Sequence, residues 1–197
     1  MQSAQEQIAY VAKMMFDRKL TDISGGNLSC RCEDKIFITP TRAGQLYHWN
    51  LSPDQIISAS IETDELLKNP LHSKESISHL LAYRAFPQIT GIIHAHPFNI
   101  LPFCVAKQPI QALLKSTQIL ADRFELIDET PMYSKEQGEE IVAKLRSHEE
   151  KMKNFGAAVL MPDHGVFVVG PTLFWALDIL ERLEYNAYCQ LTQKWIE

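Results

Sequence analysis

The chain has no long apolar run: nothing in it approaches the ~18 consecutive apolar residues that cross a bilayer, so no membrane span or membrane partner is expected. Glycine and proline are sparse, 8 and 10 in 197 residues, too few for a collagenous or low-complexity chain. Positive charge is not in excess. Against 24 Asp and Glu stand 19 Lys and Arg, and the formal net charge of -5 gives no general attraction to nucleic acid or an anionic surface. The four cysteines, Cys30, Cys32, Cys104 and Cys189, are scattered. Met1 is followed by a polar, helix-like stretch rather than the basic and apolar regions of a signal peptide. Free thiols and a cytoplasmic location are therefore expected. Cys30 and Cys32 are one residue short of the usual zinc or redox spacing and read as two residues on one strand face.

What is present is the balance of an ordinary globular protein, 46% hydrophobic and 22% charged. The length can bury one sizeable core, and no repeat or linker divides it, so residues 1–197 are expected to form a single domain. Apolar residues at helical spacing predict helices over Ala4–Arg18, Lys74–Ala85 (capped by Ser73), Asn99–Ala106, Ser134–Glu150 and Thr172–Trp195. Strands are predicted over Leu28–Cys32 and Lys35–Thr39 as a hairpin, then Gln55–Ser60, Gln88–His96, Ala157–Met161 and Val166–Val169. Residues 40–44 read as a loop, and residues 111–128 have no clear pattern. Short strands and hairpins mixed with helices point to an α+β or a layered α/β/α domain with a largely antiparallel sheet.

Three of the seven histidines stand out. His94 and His96, two apart at a strand end, project to one face and can share a metal ion. His164, in the tight turn Asp163-His164-Gly165 between two apolar strands, is the natural third ligand. The alternative is three satisfied core or surface histidines. Glu75, at a helix start, reads on its own as a charge favoured by the macrodipole. Ser73 and Lys74 beside it allow a second reading, a phosphate site on free backbone N–H groups. The loop Ser24-Gly25-Gly26-Asn27 offers more N–H donors, and Thr39-Pro40-Thr41-Arg42 two hydroxyls and a guanidinium, both suited to an anion. Taken singly, each of these loops is equally a plain turn.

Together, Ser24-Gly-Gly-Asn27-Leu-Ser29, Ile38-Thr-Pro-Thr41, Glu75 nineteen residues before His94-Ala-His96, and His164-Gly165 form a pattern that resembles the class II aldolase and adducin family. The resemblance implies a zinc-dependent aldehyde-lyase of carbohydrate metabolism with a class II aldolase-like α/β fold, three layers α/β/α around a mostly antiparallel sheet. It implies one Zn2+, or another divalent ion, on His94, His96 and His164, and Glu75 as general acid/base. The substrate phosphate would lie on Ser24, Asn27, Thr41 and Ser73, with Gly26, Arg42 and Lys74 beside them. A homotetramer with active sites at subunit interfaces is also implied. The expected reaction is retro-aldol cleavage of a small phosphorylated ketose through a metal-stabilised enediolate. The same family contains 4-epimerases, dehydratases and non-catalytic adducin domains, the last without the metal histidines. Three departures are visible. Arg42 stands where the aldolases have glycine, and Lys74 where they have serine. The family's tyrosine after the H-x-H motif falls near Lys115, which leaves Tyr133 and Tyr47 as substitutes. The remaining histidines, His48, His72, His79 and His148, read as surface or structural, with His72 nearest to Glu75. Phe98, Phe103, Phe124, Phe167, Phe174, Trp175 and Trp195 read as core or intersubunit packing.

Overall fold

The computed structural model describes residues 3–196, so Met1 and the outer limits of the expected domain lie outside the described residues. Helix α1, Ala4–Asp17, opens on a capping box between Ser3 and Glu6 and buries Ile8, Val11, Ala12 and Met15. Strands β1, Asn27–Cys32, and β2, Lys35–Ile38, form the expected hairpin. The loop expected at 40–44 instead leads into a short helix α2, Ala43–Tyr47, entered through Arg42 in the left-handed region at φ 60°. Strand β3, Ile57–Ser60, begins later than predicted because Pro53–Gln55 take a 3-10 turn that proline favours at its start.

Helix α3, Ser76–Ala85, begins two residues late. Ser73 does not cap it; its carbonyl accepts the Ser76 N–H, and Glu75 becomes the N-cap with its side chain turned away from the helix. Strand β4, Gly91–Ala95, ends one residue short of His96. Helix α4, Leu101–Ala106, accommodates Pro102 in its first turn. The unpatterned stretch resolves into a two-stranded ribbon, β5 at Ile110–Gln111 and β6 at Arg123–Phe124, around α5 at Lys115–Gln118. Asn186 anchors it: its Oδ1 accepts from the N–H groups of Leu113 and Leu114 and from the Thr117 hydroxyl.

The predicted helix over 134–150 is two, α6 at Lys135–Arg146 and α7 at Glu149–Met152. Ser134 caps α6 through the Gln137 N–H, while the Gln137 side chain accepts from Tyr133 rather than from Ser134. Strands β7, Ala157–Met161, and β8, Gly165–Gly170, flank the His164 turn. Helix α8 runs Leu173–Thr192 on a Thr172 cap and finishes in a 3-10 turn.

The six long strands form one antiparallel sheet in the order β3-β2-β1-β4-β8-β7. Alternation along each strand assigns its residues to two cores. Leu28, Cys30, Ile93, Ala95, Val166 and Val168 face α1 and α8. Ile36, Ile38, Ile92, Val159, Phe167 and Val169 face α3 and α6. This is the expected three-layer α/β/α arrangement. The four cysteines are unpaired, Cys30 buried and Cys32 exposed at the strand end. Of the aromatic residues expected to pack, Phe103, Phe124 and Phe167 are buried. Phe98, Phe174, Trp175 and Trp195 are exposed and lie outside the core, because each sits on an outer helix or turn rather than on a sheet face. No helix among the described residues is long and apolar enough to cross a membrane.

Candidate metal centre and active site

The site forms where β1, β4 and the β7–β8 turn end together, beneath the start of α3. Asn27 and His94 are directly paired across β1 and β4, and both point to the α3 side of the sheet. Two residues on, just past the end of β4, His96 carries its ring beside that of His94, with centroids 4.9 Å apart. The His164 ring closes the triangle at 4.7 Å from His94 and 5.2 Å from His96. One ligating nitrogen from each histidine lies within 4.8 Å of the other two.

Two glycines make room for these rings. A Cβ on Gly25 would stand 2.2 Å from His96 Cε1, and one on Gly165 would stand 2.8 Å from His96 Cδ2 and 2.4 Å from the Ala95 carbonyl. Gly26 serves the backbone instead. Its φ of +102° turns the chain into β1, a conformation that glycine adopts without strain.

Donor chemistry fits a cation. His94 Nδ1 donates to the Val166 carbonyl at 3.1 Å, which fixes the tautomer and leaves Nε2 as a bare lone pair. That nitrogen faces Glu75 Oε2 at 3.1 Å and His96 Nε2 at 3.1 Å. The Asp22 carboxylate lies 3.6 Å from His96 Nδ1 on the outer side of that ring. Glu75 Oε1 is 3.5 Å from His164 Nε2, and both it and His164 Nδ1 are buried without a hydrogen-bond partner among the described residues. Lone pairs facing one another in a buried site repel unless a proton or a cation lies among them. Burial, reinforced by the neighbouring rings, holds His94 well below its ordinary pKa, and burial lowers His164 to about 4. Burial also lowers His96, with Asp22 opposing. All three imidazoles are thus neutral near pH 7, the form in which they ligate metal.

Burial pushes the Glu75 carboxyl up to about 7, opposed by the hydrogen bond that Asn27 Nδ2 donates to Oε2 at 2.9 Å. The carboxyl is 2% exposed and sits at the floor of a cleft of about 410 Å3. A buried carboxyl with a pKa near 7 is suited to proton transfer.

Every candidate site residue from the sequence lines this cleft: Glu75 and the three histidines at the floor, Ser24, Gly26 and Asn27 on one side, Thr41, Arg42, Ser73 and Lys74 on the other. Their partners differ. The Ser24 hydroxyl donates to Asp22, and Arg42 Nε donates to Gln45. The Asn27 amide is held inside the protein, by Glu75 and by His79. Arg42 and Lys74 form no ion pair among the described residues, so two free cations face the cleft. Gly25 of the anion-suited loop and Tyr133, one of the two substitute tyrosines, also line it, together with Gln45, which the sequence did not single out. Tyr133 stands edge-on to His164 at 5.8 Å, with Lys74 Nζ 5.2 Å from its ring. Its φ of 64° and the Gln137 cap turn it inward, features that a helix-start pattern does not reveal. Tyr47 is not among the lining residues, nor is His72. A larger cavity of about 780 Å3 lies beyond His96, walled by Phe98, Tyr185, Tyr188 and Arg18. It contains neither Glu75 nor the two free cations, so the chemistry belongs to the smaller cleft.

Comparison with known proteins agrees with this geometry. Residues 6–191 match the family model described as Class II Aldolase and Adducin N-terminal domain. The chain is 27% identical over 182 residues to the L-fuculose phosphate aldolase of Methanocaldococcus jannaschii, covering 92% of each chain. It is 28% identical over 185 residues to the 3-oxo-tetronate 4-phosphate decarboxylase of Haemophilus influenzae, covering 92% of this chain and 84% of that one. A solved L-fuculose 1-phosphate aldolase superposes with a TM-score of 0.83 at 22% identity, covering 100% of this chain and 90% of the other. The chain belongs to the class II aldolase and adducin family.

Proposed function

We propose that this protein is a zinc-dependent lyase that cleaves a small phosphorylated ketose by a retro-aldol reaction. The observation that carries the reading is Glu75: a buried carboxyl with its two oxygens against His94 and His164, at the floor of a cleft whose rim holds unpaired Arg42 and Lys74. His94, His96 and His164 would hold the ion, which supplies Lewis-acid stabilisation of the negative charge that develops on the substrate oxygens. Arg42, Lys74 and the hydroxyls of Thr41 and Ser73 bind the phosphate, joined by Ser24 once its hydroxyl turns from Asp22, with the backbone of Gly26 and Asn27 beside them. That anchor orients the substrate before any bond breaks. As the C3–C4 bond cleaves, its electron pair stays on C3, the C4 hydroxyl loses its proton and C4 leaves as an aldehyde. Glu75 then delivers a proton to C3, and the half-exposed Tyr133 hydroxyl takes up the C4 hydroxyl proton as it passes its own to solvent. The retained histidines and Glu75 argue against a non-catalytic adducin-like role.

The reading brings with it a single domain, a cytoplasmic location and a homotetramer with sites at subunit interfaces. Exposed Phe98, Tyr185 and Tyr188 beside His96 support the last of these. A second reading is favoured by the two free cations and by the decarboxylase relative: loss of CO2 from a phosphorylated 3-oxo acid, which leaves a similar carbanion for the same groups to stabilise. Metal-loaded protein incubated with a panel of ketose phosphates and phosphorylated oxo acids, with products followed by NMR, separates them. Dihydroxyacetone phosphate from one ketose supports the aldolase. CO2 alone transfers the assignment to the decarboxylase, and an epimer or a dehydrated ketone to those branches of the family.

A further inference from the structure

Behind Glu75 runs a line of buried polar groups that the reaction above does not use. Asn27 Nδ2 donates to Glu75 Oε2, and Asn27 Oδ1 meets His79 Nε2 at 2.5 Å. His79 Nδ1 lies 2.7 Å from the Ser29 hydroxyl, which lies 2.9 Å from the Tyr83 hydroxyl. Ser29, His79 and Tyr83 are fully buried, and Asn27 is nearly so. The spacing creates the line. Asn27 and Ser29 alternate onto one face of β1, while Glu75, His79 and Tyr83 recur every four residues along α3 and its N-cap.

With the Asn27 amide oxygen toward His79 and its NH2 toward Glu75, the protons in this line follow. An amide oxygen can only accept, so His79 donates from Nε2. Burial lowers His79 to about 3, so the ring is neutral and Nδ1 is the lone pair that accepts from the Ser29 hydroxyl. Phe167, edge-on at 5.2 Å, packs against the ring. With Oδ1 committed to His79, the Asn27 amide presents its NH2 to Glu75. Without that donor the amide can turn over and set its oxygen against the carboxylate.

We propose that His79 is a positioning residue: its Nε2–H fixes the Asn27 amide, and through it the Glu75 carboxylate, between His94 and His164. This rests on the proton-transfer role proposed for Glu75. His79→Leu removes the donor, whereas His79→Gln replaces it with an amide N–H. His79→Leu is expected to lower kcat by about 10- to 100-fold, with KM and metal content within about twofold of wild type. His79→Gln recovers most of that loss. In the Asn27→Ala background, His79→Leu adds nothing further, because its effect passes through the missing amide. The proposal is overturned if His79→Leu retains full kcat, if His79→Gln is no better than His79→Leu, or if the two losses add. Should the wild type turn over none of the substrates, the proposed reaction fails instead, and crystal structures of wild type and His79→Leu test the positioning by themselves. A Glu75 carboxylate turned away from His94 in the variant supports it; an unmoved carboxylate overturns it.

Discussion

Gly25→Ala tests the packing that builds the metal centre. The added Cβ would stand 2.2 Å from His96 Cε1, whereas ordinary van der Waals contact begins near 3.4 Å, so one group must retreat by about 1.2 Å. The backbone at Gly25 is not in the left-handed region, and the atom it strikes is the end of a side chain. The ring therefore moves while the fold stays. Metal–ligand distances tolerate only about 0.2 Å, so the displaced imidazole ceases to ligate and a three-histidine site becomes a two-histidine one. Losing one of three protein ligands should weaken binding at least ~100-fold, about 2.7 kcal/mol. Competition with a chromophoric chelator measures the affinity, and thermal unfolding of the metal-free protein checks the fold. The reasoning predicts an unfolding temperature close to wild type together with the lost affinity. An alanine variant that binds metal as tightly as wild type refutes it.

Metal-free protein should lose stability on acidification. His79 and His164 have folded pKa values lowered from 6.5 to about 3 and about 4, so the unfolded state binds more protons below 6.5. Their stabilisation is complete above pH 6.5 and is lost toward pH 4. Glu75, raised from 4.5 to about 7, acts oppositely: its folded state binds more protons between those values, so its contribution falls as pH rises through that window. From pH 6.5 to 5 each of the two histidines costs about 1.6 kcal/mol and Glu75 offsets roughly one of them, leaving a net loss of about 1.5 kcal/mol, to which buried His94 adds. Denaturant unfolding at the two pH values measures it, and a rise in stability at pH 5 contradicts the assignment. Tyr133→Phe should leave metal content unchanged and reduce kcat by roughly 100-fold, as loss of a group that assists proton transfer does; unchanged kcat in steady-state assays removes Tyr133 from the reaction. Phe167→Ala should cost about 3–5 kcal/mol in denaturant unfolding, since Phe167 is fully buried in the α3–α6 core.

The outline of the site is legible in the sequence because its signals are local. The H-x-H pair needs only strand alternation to aim both rings one way, and the hairpin histidine needs only the turn at Asp163–Gly165. Other parts depend on residues distant in the chain and leave no such trace. Gly25 reads as a turn residue until the His96 ring is placed beside it. His79 reads as an ordinary structural histidine until β1 brings Asn27 and Ser29 against α3. Lys74 reads as the start of α3 and Ser73 as its cap, yet Glu75 turns toward the histidines and the helix waits for Ser76. The ribbon at residues 110–124 has no sequence signature because its strands are two residues each and its anchor, Asn186, lies on the last long helix.

The claim on which the rest depends is that His94, His96 and His164 hold a metal ion. Elemental analysis of protein purified without chelator measures this directly for wild type, His94→Ala and Glu75→Gln. The account predicts close to one divalent ion per chain in wild type and in Glu75→Gln, with turnover lost by orders of magnitude in the latter, and almost none in His94→Ala. Wild-type protein carrying less than about a tenth of an ion per chain, and taking up none from added zinc, contradicts it.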